Sequence, residues 1–219
     1  LTPEMIDAFT KQRHGEGTKR ESKGAAARRI LGEFTASRPE DRFAMFAFST
    51  VPIPVLGFTQ KPEAVQAAIA AGNIGRGLSE TNIGRALELG LDMFEGRPYN
   101  GSRILMLVSD GGDRMDPDLR ERLSHEARKQ RAAIYWIYLR SANSPGLRPG
   151  PNDSPGAIES VPEMLPNRFF EAHETPYRVY EAGNTEALRQ AIADVNRLEN
   201  LPMRYQELVP RRDLEPWCH

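Results

Sequence analysis

A carboxylate and a hydroxyl are the residues of this sequence best suited to bind a metal ion. The carboxylate is Asp110, in the motif Ser-Asp-Gly-Gly-Asp at 109–113, which directly follows the apolar run 104–108. A short apolar run of this kind is typical of a buried strand in a parallel sheet, and such sheets bind ligands beyond the carboxyl ends of their strands. The glycines allow the chain to turn sharply beside the carboxylate. An exposed carboxylate in that position suits a hard cation such as Mg²⁺ or Ca²⁺.

Thr81 supplies the hydroxyl. It lies just before the most regular helical pattern of the chain, in which apolar or small residues recur at helical spacing: Ile83, Ala86, Leu87, Gly90, Leu91 and Phe94. From this position the hydroxyl can cap the helix or coordinate a metal, and the residues alone leave both roles open. The order of strands and helices predicts that this loop lies at the same end of the sheet as Asp110.

The elements that must position these residues alternate between strands and helices. Three continuous apolar runs predict strands buried on both faces: 43–48, 104–108 and 133–139. Amphipathic patterns predict helices over 26–34, from Pro62, over 83–94, over 118–130 and after Asn184. Asp116-Pro117 suits the start of the fourth helix, and Asn184-Thr185 is a candidate N-cap for the last. Shorter edge strands are expected at 177–180 and at 51–58, where two prolines exclude a central position. The pattern predicts an α/β fold, a doubly wound and mostly parallel sheet with helices on both faces.

The first forty residues lack a pattern for a buried strand. Residues 1–10 predict the start of a helix, with Pro3 in its first turn. Because a doubly wound domain normally opens with a strand, we expect the first strand to be missing upstream of Leu1. The expected organisation is one truncated domain over 1–200 and a tail over 201–219 that leads towards a membrane helix. The Pro- and Gly-rich segment 141–156 is expected to be a long exposed loop.

Several motifs together resemble a known family. They are Arg-Pro-Glu-Asp-Arg-Phe at 38–43, Phe-Ala-Phe-Ser at 46–49, the segment 77–87 with Thr81, and the segment 105–112 with Asp110. Their order and rough spacing resemble those of the von Willebrand factor type A domain. The resemblance covers about residues 23–198, and although each motif alone is weak, the ordered set is specific.

The resemblance implies a metal-ion-dependent adhesion site. In that family the site is built from an Asp-x-Ser-x-Ser motif after the first strand, one threonine and one aspartate. Thr81 matches the threonine and Asp110 matches the aspartate, but this sequence contains no Asp-x-Ser-x-Ser motif. The expected account is truncation just before Leu1. A chain without that motif is expected to bind Mg²⁺, or Ca²⁺ or Mn²⁺, only weakly or not at all.

A narrower resemblance suggests a cellular setting. The stretches 205–208 and 211–214 are similar to the segment that precedes a membrane helix in bacterial Bat-type proteins and in membrane-bound accessory proteins of methanol oxidation. This implies a domain associated with the inner membrane, on the periplasmic or cytoplasmic side, through segments outside this chain. It also implies work beside a MoxR-type ATPase in maturing or protecting another protein.

Composition excludes several classes of function. The net charge is −1 and no basic field attracts nucleic acid. The single cysteine, Cys218, excludes an intrachain disulfide framework. No apolar run reaches the roughly 20 residues of a membrane span.

Three functions remain to be weighed. The favoured one is a non-enzymatic binding module, in which a partner protein's Asp or Glu completes the coordination of the metal. The alternative is a metal-dependent hydrolase that uses Asp110 and Asp113, although few carboxylates or histidines converge at the strand ends. A nucleotide-binding domain ranks last, because the sequence has no glycine-rich phosphate-binding motif.

Overall fold

The computed structural model describes residues 23–72, 81–99, 101–110, 112–113, 115–140, 146–147, 164–171 and 176–199. Its helices are α1 (Lys23–Ala36), α2 (Pro62–Ala71), α3 (Ile83–Asp92), α4 (Pro117–Gln130), α5 (Met164–Glu171) and α6 (Thr185–Glu199). Its strands are β1 (Phe43–Phe48), β2 (Pro52–Thr59), β3 (Arg103–Ser109), β4 (Ala132–Tyr138) and β5 (Tyr177–Glu181). The predictions for 1–10, 77–80, Gly111, most of 141–156 and the tail 201–219 lie outside the described residues.

Local signals explain where several helices begin and end. The Asn184 side chain accepts a hydrogen bond of 2.9 Å from the Ala187 N–H and caps α6, as the sequence predicts. Asp116 caps α4 in the same way, at 2.9 Å from the Asp118 N–H, with Pro117 in the first turn. Helix α4 ends at Arg131, which has the left-handed φ of 49° that glycine usually supplies. Helix α5 was not predicted from the sequence.

The strands form two separate sheets. Strands β1 and β2 make an antiparallel pair. Strands β3, β4 and β5 make a parallel sheet in that order, with Leu107 opposite Trp136 and Trp136 opposite Val179. The edge strands predicted at 51–58 and 177–180 are confirmed as β2 and β5.

Helices cover both faces of the parallel sheet. On one face α3 and α4 pack on Leu105, Leu107 and Trp136. On the other face α1 and α6 pack on Ile137, while Met106 and Val108 are partly buried there. Neighbouring residues of β3 therefore belong to two different cores, as expected for a strand whose side chains alternate between faces.

Helix α3 bridges the two sheets. A Cβ atom placed on Gly90 would lie 2.5 Å from Leu105 Cδ1 on β3 and 3.1 Å from Phe46 Cε1 on β1. The start of α3 also meets the carboxyl end of β1, where the Asn82 N–H donates to the Ser49 carbonyl at 2.8 Å. The start of α3 lies at the carboxyl ends of both β1 and β3, and Gly90, further along the helix, lies against the middle of both strands. Strands β1 and β3 therefore run in the same direction, opposite to that of α3.

The prediction of full burial for all three apolar runs is wrong for two of them. Six of the seven residues of β4 are buried, but every residue of β1 is only half-buried, and β3 alternates between buried and half-buried. The reason lies in their neighbours. Strand β4 has a strand on each side, whereas β1 and β3 each have one edge that pairs with no strand of the described residues.

Candidate functional site

Buried hydrogen bonds fix the carboxyl end of β3. The Trp136 Nε1–H donates to the Ser109 hydroxyl oxygen at 3.0 Å, and the Leu139 N–H donates to the Ser109 carbonyl at 2.7 Å. Ser109 is only 7% exposed, whereas the next residue, Asp110, is exposed. The strand thus ends in a fixed position and leaves the Asp110 carboxylate in solvent at the rim of the sheet.

The start of α3 is fixed by Asn82. Its side-chain oxygen accepts a hydrogen bond from the Arg85 N–H at 3.0 Å, which caps the helix. Its own N–H is held by Ser49 at the end of β1. Of the two roles that the sequence left open for Thr81, helix capping therefore belongs to Asn82. Thr81 precedes the cap and is half-buried.

Asp113 joins the two loops. Its Oδ2 atom accepts a hydrogen bond from the Gly84 N–H at 2.8 Å, in the first turn of α3. A carboxylate in this position is favourable because the first N–H groups of a helix lack partners within the helix and carry partial positive charge. Asp113 is three residues after Asp110, and Gly84 is three residues after Thr81. The bond therefore connects the loop after β3 to the start of α3 close to both residues.

The structure therefore places Thr81 and Asp110 in two connected loops at one rim of the fold. The carboxyl end of β1 meets the same rim through Ser49. The binding of a cation by Thr81 and Asp110 stays a prediction. In the part of the chain that the structure describes, no three His, Cys, Asp or Glu side chains form a group able to hold a metal ion.

Sequence reasoning missed two residues that organise this rim. Asn82 had a readable signal, because Asn directly before a periodic apolar pattern is a common helix cap. The sequence assigns Asp113 only the role of second carboxylate in the hydrolase alternative, and its bond to Gly84 has no local signal because it joins residues 29 positions apart. Asp116 was predicted to begin the following helix, and the structure confirms this.

An acidic surface continues from the rim along α3 and α4. It includes Glu88, Asp92, Glu95, Glu121 and Glu126, with Arg122 and Lys129 among them. Partial burial raises the pKa of Asp92 above its ordinary value of 3.8, and the nearby charges of Glu88, Glu95 and Glu126 raise this pKa further. This surface therefore has a local excess of negative charge.

Known proteins show the same fold. Residues 12–112 match the model of the von Willebrand factor type A domain. The chain is similar to the crystal structure of an aerotolerance-related membrane protein from Bacteroides fragilis, with 15% identity, a TM-score of 0.56, and coverage of 80% of this chain and 89% of that chain. It is also similar to the conserved hypothetical protein BatB from Bacteroides thetaiotaomicron, with 16% identity, a TM-score of 0.56 and the same coverage.

A third similar structure comes from a different setting. It is a D319A mutant of the PilB minor pilin from Streptococcus sanguinis, with 15% identity, a TM-score of 0.55, and coverage of 83% of this chain and 55% of that chain. No curated protein matches the sequence. No helix among the described residues is long and apolar enough to cross a membrane. Residues 12–112 thus match the von Willebrand factor type A family, and the described part of the chain has a fold of this type.

Proposed function

We propose that this domain binds a partner protein through a divalent cation held by Thr81 and Asp110. The hydrogen bond from the Gly84 N–H to Asp113 carries the proposal, because it connects the two loops that contain these residues. Magnesium is the cation that we expect first, with Ca²⁺ or Mn²⁺ as substitutes.

The available oxygen donors suit such an ion. Asp110 is exposed, and Thr81 does not cap α3 because Asn82 does. A hydroxyl and a carboxylate are hard oxygen ligands of the kind that Mg²⁺ prefers. One carboxylate leaves the ion with net positive charge, so an Asp or Glu of the partner favourably completes the coordination. The remaining ligands come from water or from residues outside the described part of the chain.

The hydrolase alternative, with Asp110 and Asp113 as its carboxylates, has less support. One oxygen of Asp113 is already bound to the start of α3, where the carboxylate holds a loop in place. A hydrolytic site needs a cation and a positioned water between carboxylates that are available to both. Binding of a partner without bond breaking requires Thr81 and the exposed Asp110 as ligands, and it leaves Asp113 in its structural role.

The cellular setting is also part of the proposal. Two of the similar structures are the Bacteroides protein BatB and an aerotolerance-related membrane protein. We propose that this domain belongs to a membrane-associated bacterial assembly or maturation system of the Bat type. In that setting a MoxR-type ATPase is a candidate component, and membrane attachment resides in segments outside this chain.

Paramagnetic Mn²⁺ tests the metal site even if its affinity is weak. We expect Mn²⁺ to broaden the NMR amide signals of residues 81–84 and 109–113 before those of the rest of the chain. Excess Mg²⁺ should restore these signals by competition. Thr81→Val, which removes the hydroxyl but keeps the shape, and Asp110→Asn should each reduce the broadening.

Asp41→Asn is the matched control. Asp41 lies before the amino end of β1, away from the rim, so its substitution should leave the Mn²⁺ effect unchanged. Broadening that is centred elsewhere, or that persists in full in Asp110→Asn, would contradict the proposed site.

A further inference from the structure

A groove adjoins the rim, between the turn after β1 and the exposed face of α3. Its volume is about 510 Å³, and its lining includes Val51, Pro52, Asn82, Arg85, Leu89 and Asp92. Asn82 belongs both to the groove and to the rim, since it caps α3 and bonds to Ser49. A polypeptide that reaches the rim can therefore continue directly into the groove.

Arg85 stands at the end of the groove nearest the rim. It is the third residue of α3, a position where helices favour Glu or Gln and where the partial positive charge disfavours a cation. Arg85 is exposed and forms no ion pair with any residue that the structure describes. A carboxylate from a partner would supply the negative charge that this position lacks.

The far end of the groove has the opposite charge. Asp92 lies there, and its raised pKa reflects partial burial and the repulsion of neighbouring carboxylates. Glu88 also lines the groove and is paired with Arg122 at 3.3 Å. A cation from a partner would relieve the repulsion around Asp92.

The wall of the groove opposite α3 consists of Thr50, Val51 and Pro52. Val51 is 61% exposed, and Ile53, outside the groove lining, is 58% exposed. Large apolar side chains with this exposure, placed beside a candidate binding site, are typical of surfaces that bind proteins. The groove thus combines an apolar wall with a positive end and a negative end.

We propose that this groove binds an extended segment of the partner protein, with an acidic side chain at Arg85, an apolar side chain at Val51 and a basic side chain at Asp92. Arg85 and Asp92 are seven residues apart, which is about 10 Å along a helix that rises 1.5 Å per residue. An extended chain covers that distance in about three residues. The partner segment therefore has an acid and a base about three residues apart, with an apolar residue between them. This inference rests on the proposed function, which brings the partner to the rim.

Selection from a random peptide display library on the 219-residue chain, with Mg²⁺ present, tests the groove. We expect enrichment of peptides that have an acid and a base about three residues apart in one fixed order. The charge-exchanged variant, Arg85→Asp with Asp92→Lys, should enrich the reverse order. For a peptide selected on the original chain, Arg85→Glu should weaken binding about tenfold, and Val51→Ser should weaken it several-fold.

Arg189→Glu is the matched control, because Arg189 is an exposed arginine on α6, on the other face of the sheet. It should leave peptide binding unchanged. The inference is overturned if no such pattern is enriched, or if the charge-exchanged variant selects the same sequences as the original chain.

Removal of Mg²⁺ separates the two proposals. Binding that depends on Mg²⁺ and Asp110 but not on Arg85 overturns the groove and supports the metal site. Binding that depends on Arg85 but neither on Mg²⁺ nor on Asp110 overturns the metal site and supports the groove.

Discussion

At the scale of single residues, the two aspartates of the motif at 109–113 have different roles. Asp110 is exposed after the end of β3, and its contribution is its availability to a ligand. Asp113 is half-buried and bound to the Gly84 N–H, so its contribution is structural. Asn82 and Asp113 together satisfy two N–H groups in the first turn of α3. The rim is therefore held by residues other than those that we propose to bind the cation.

Asp113→Ala should lower the free energy of unfolding by about 1–3 kcal/mol, because the Gly84 N–H loses a charged acceptor. Asp113→Asn should cost less, since its amide oxygen can still accept the bond. Urea denaturation of the purified variants measures both effects. Asp110→Ala is the control and should change stability by less than about 0.5 kcal/mol, as is usual for an exposed side chain. Equal losses in Asp110→Ala and Asp113→Ala would contradict this division of roles.

At the scale of elements, α3 has the central position. It touches β1 and β3, which belong to different sheets, and its first turn bonds to the loops at the carboxyl ends of both. This close approach requires a small residue at the crossing point, and Gly90 provides it. Helix α3 therefore sets both the spacing of the two sheets and the position of Thr81 at the rim.

Gly90→Ala should destabilise the fold although alanine is the better helix former. The added methyl group would lie 2.5 Å from Leu105 and 3.1 Å from Phe46, and such overpacking costs about 1–3 kcal/mol. The gain in helix propensity, about 1 kcal/mol at most, offsets this only in part. Gly24→Ala in α1 is the control, because its nearest neighbour would be the end of the Arg28 side chain at 3.5 Å. Thermal unfolding compares the two, and a Gly90→Ala variant as stable as Gly24→Ala would show that α3 does not approach both sheets so closely.

At the scale of the whole molecule, burial and strand pairing are unevenly distributed between the two sheets. Strand β4 lies between β3 and β5 and has helices on both faces, whereas β1 pairs only with β2 in the described part of the chain. The β1–β2 pair also exposes two large apolar side chains where β2 begins, those of Val51 and Ile53. Burial and strand pairing thus concentrate in the parallel sheet.

Hydrogen exchange should reveal this difference. We expect the amides of β4 to exchange slowest, at a rate set by global unfolding, and those of β1 to exchange faster through local opening. Mass spectrometry or NMR of the unmodified chain measures the exchange, with β4 as the internal reference. If β1 amides were protected for as long as those of β4, the two sheets would open as one cooperative unit and this prediction would fail.

The type and order of most elements follow from the amino-acid pattern alone, because apolar periodicity and helix caps are local signals. The pattern at 83–94, the Asn184 cap and the prolines of β2 each predicted what the structure shows. Helix α5 and the half-burial of β1 and β3 were not predicted, since burial depends on which neighbours a strand acquires.

For the candidate site, the sequence indicated Thr81 and Asp110. The Asn82 cap of α3 has a local signal, whereas the joining of the two loops by Asp113 appears only in the folded chain. The bond from Gly84 to Asp113 connects residues far apart in the chain, and only the packing of α3 between two sheets brings them together.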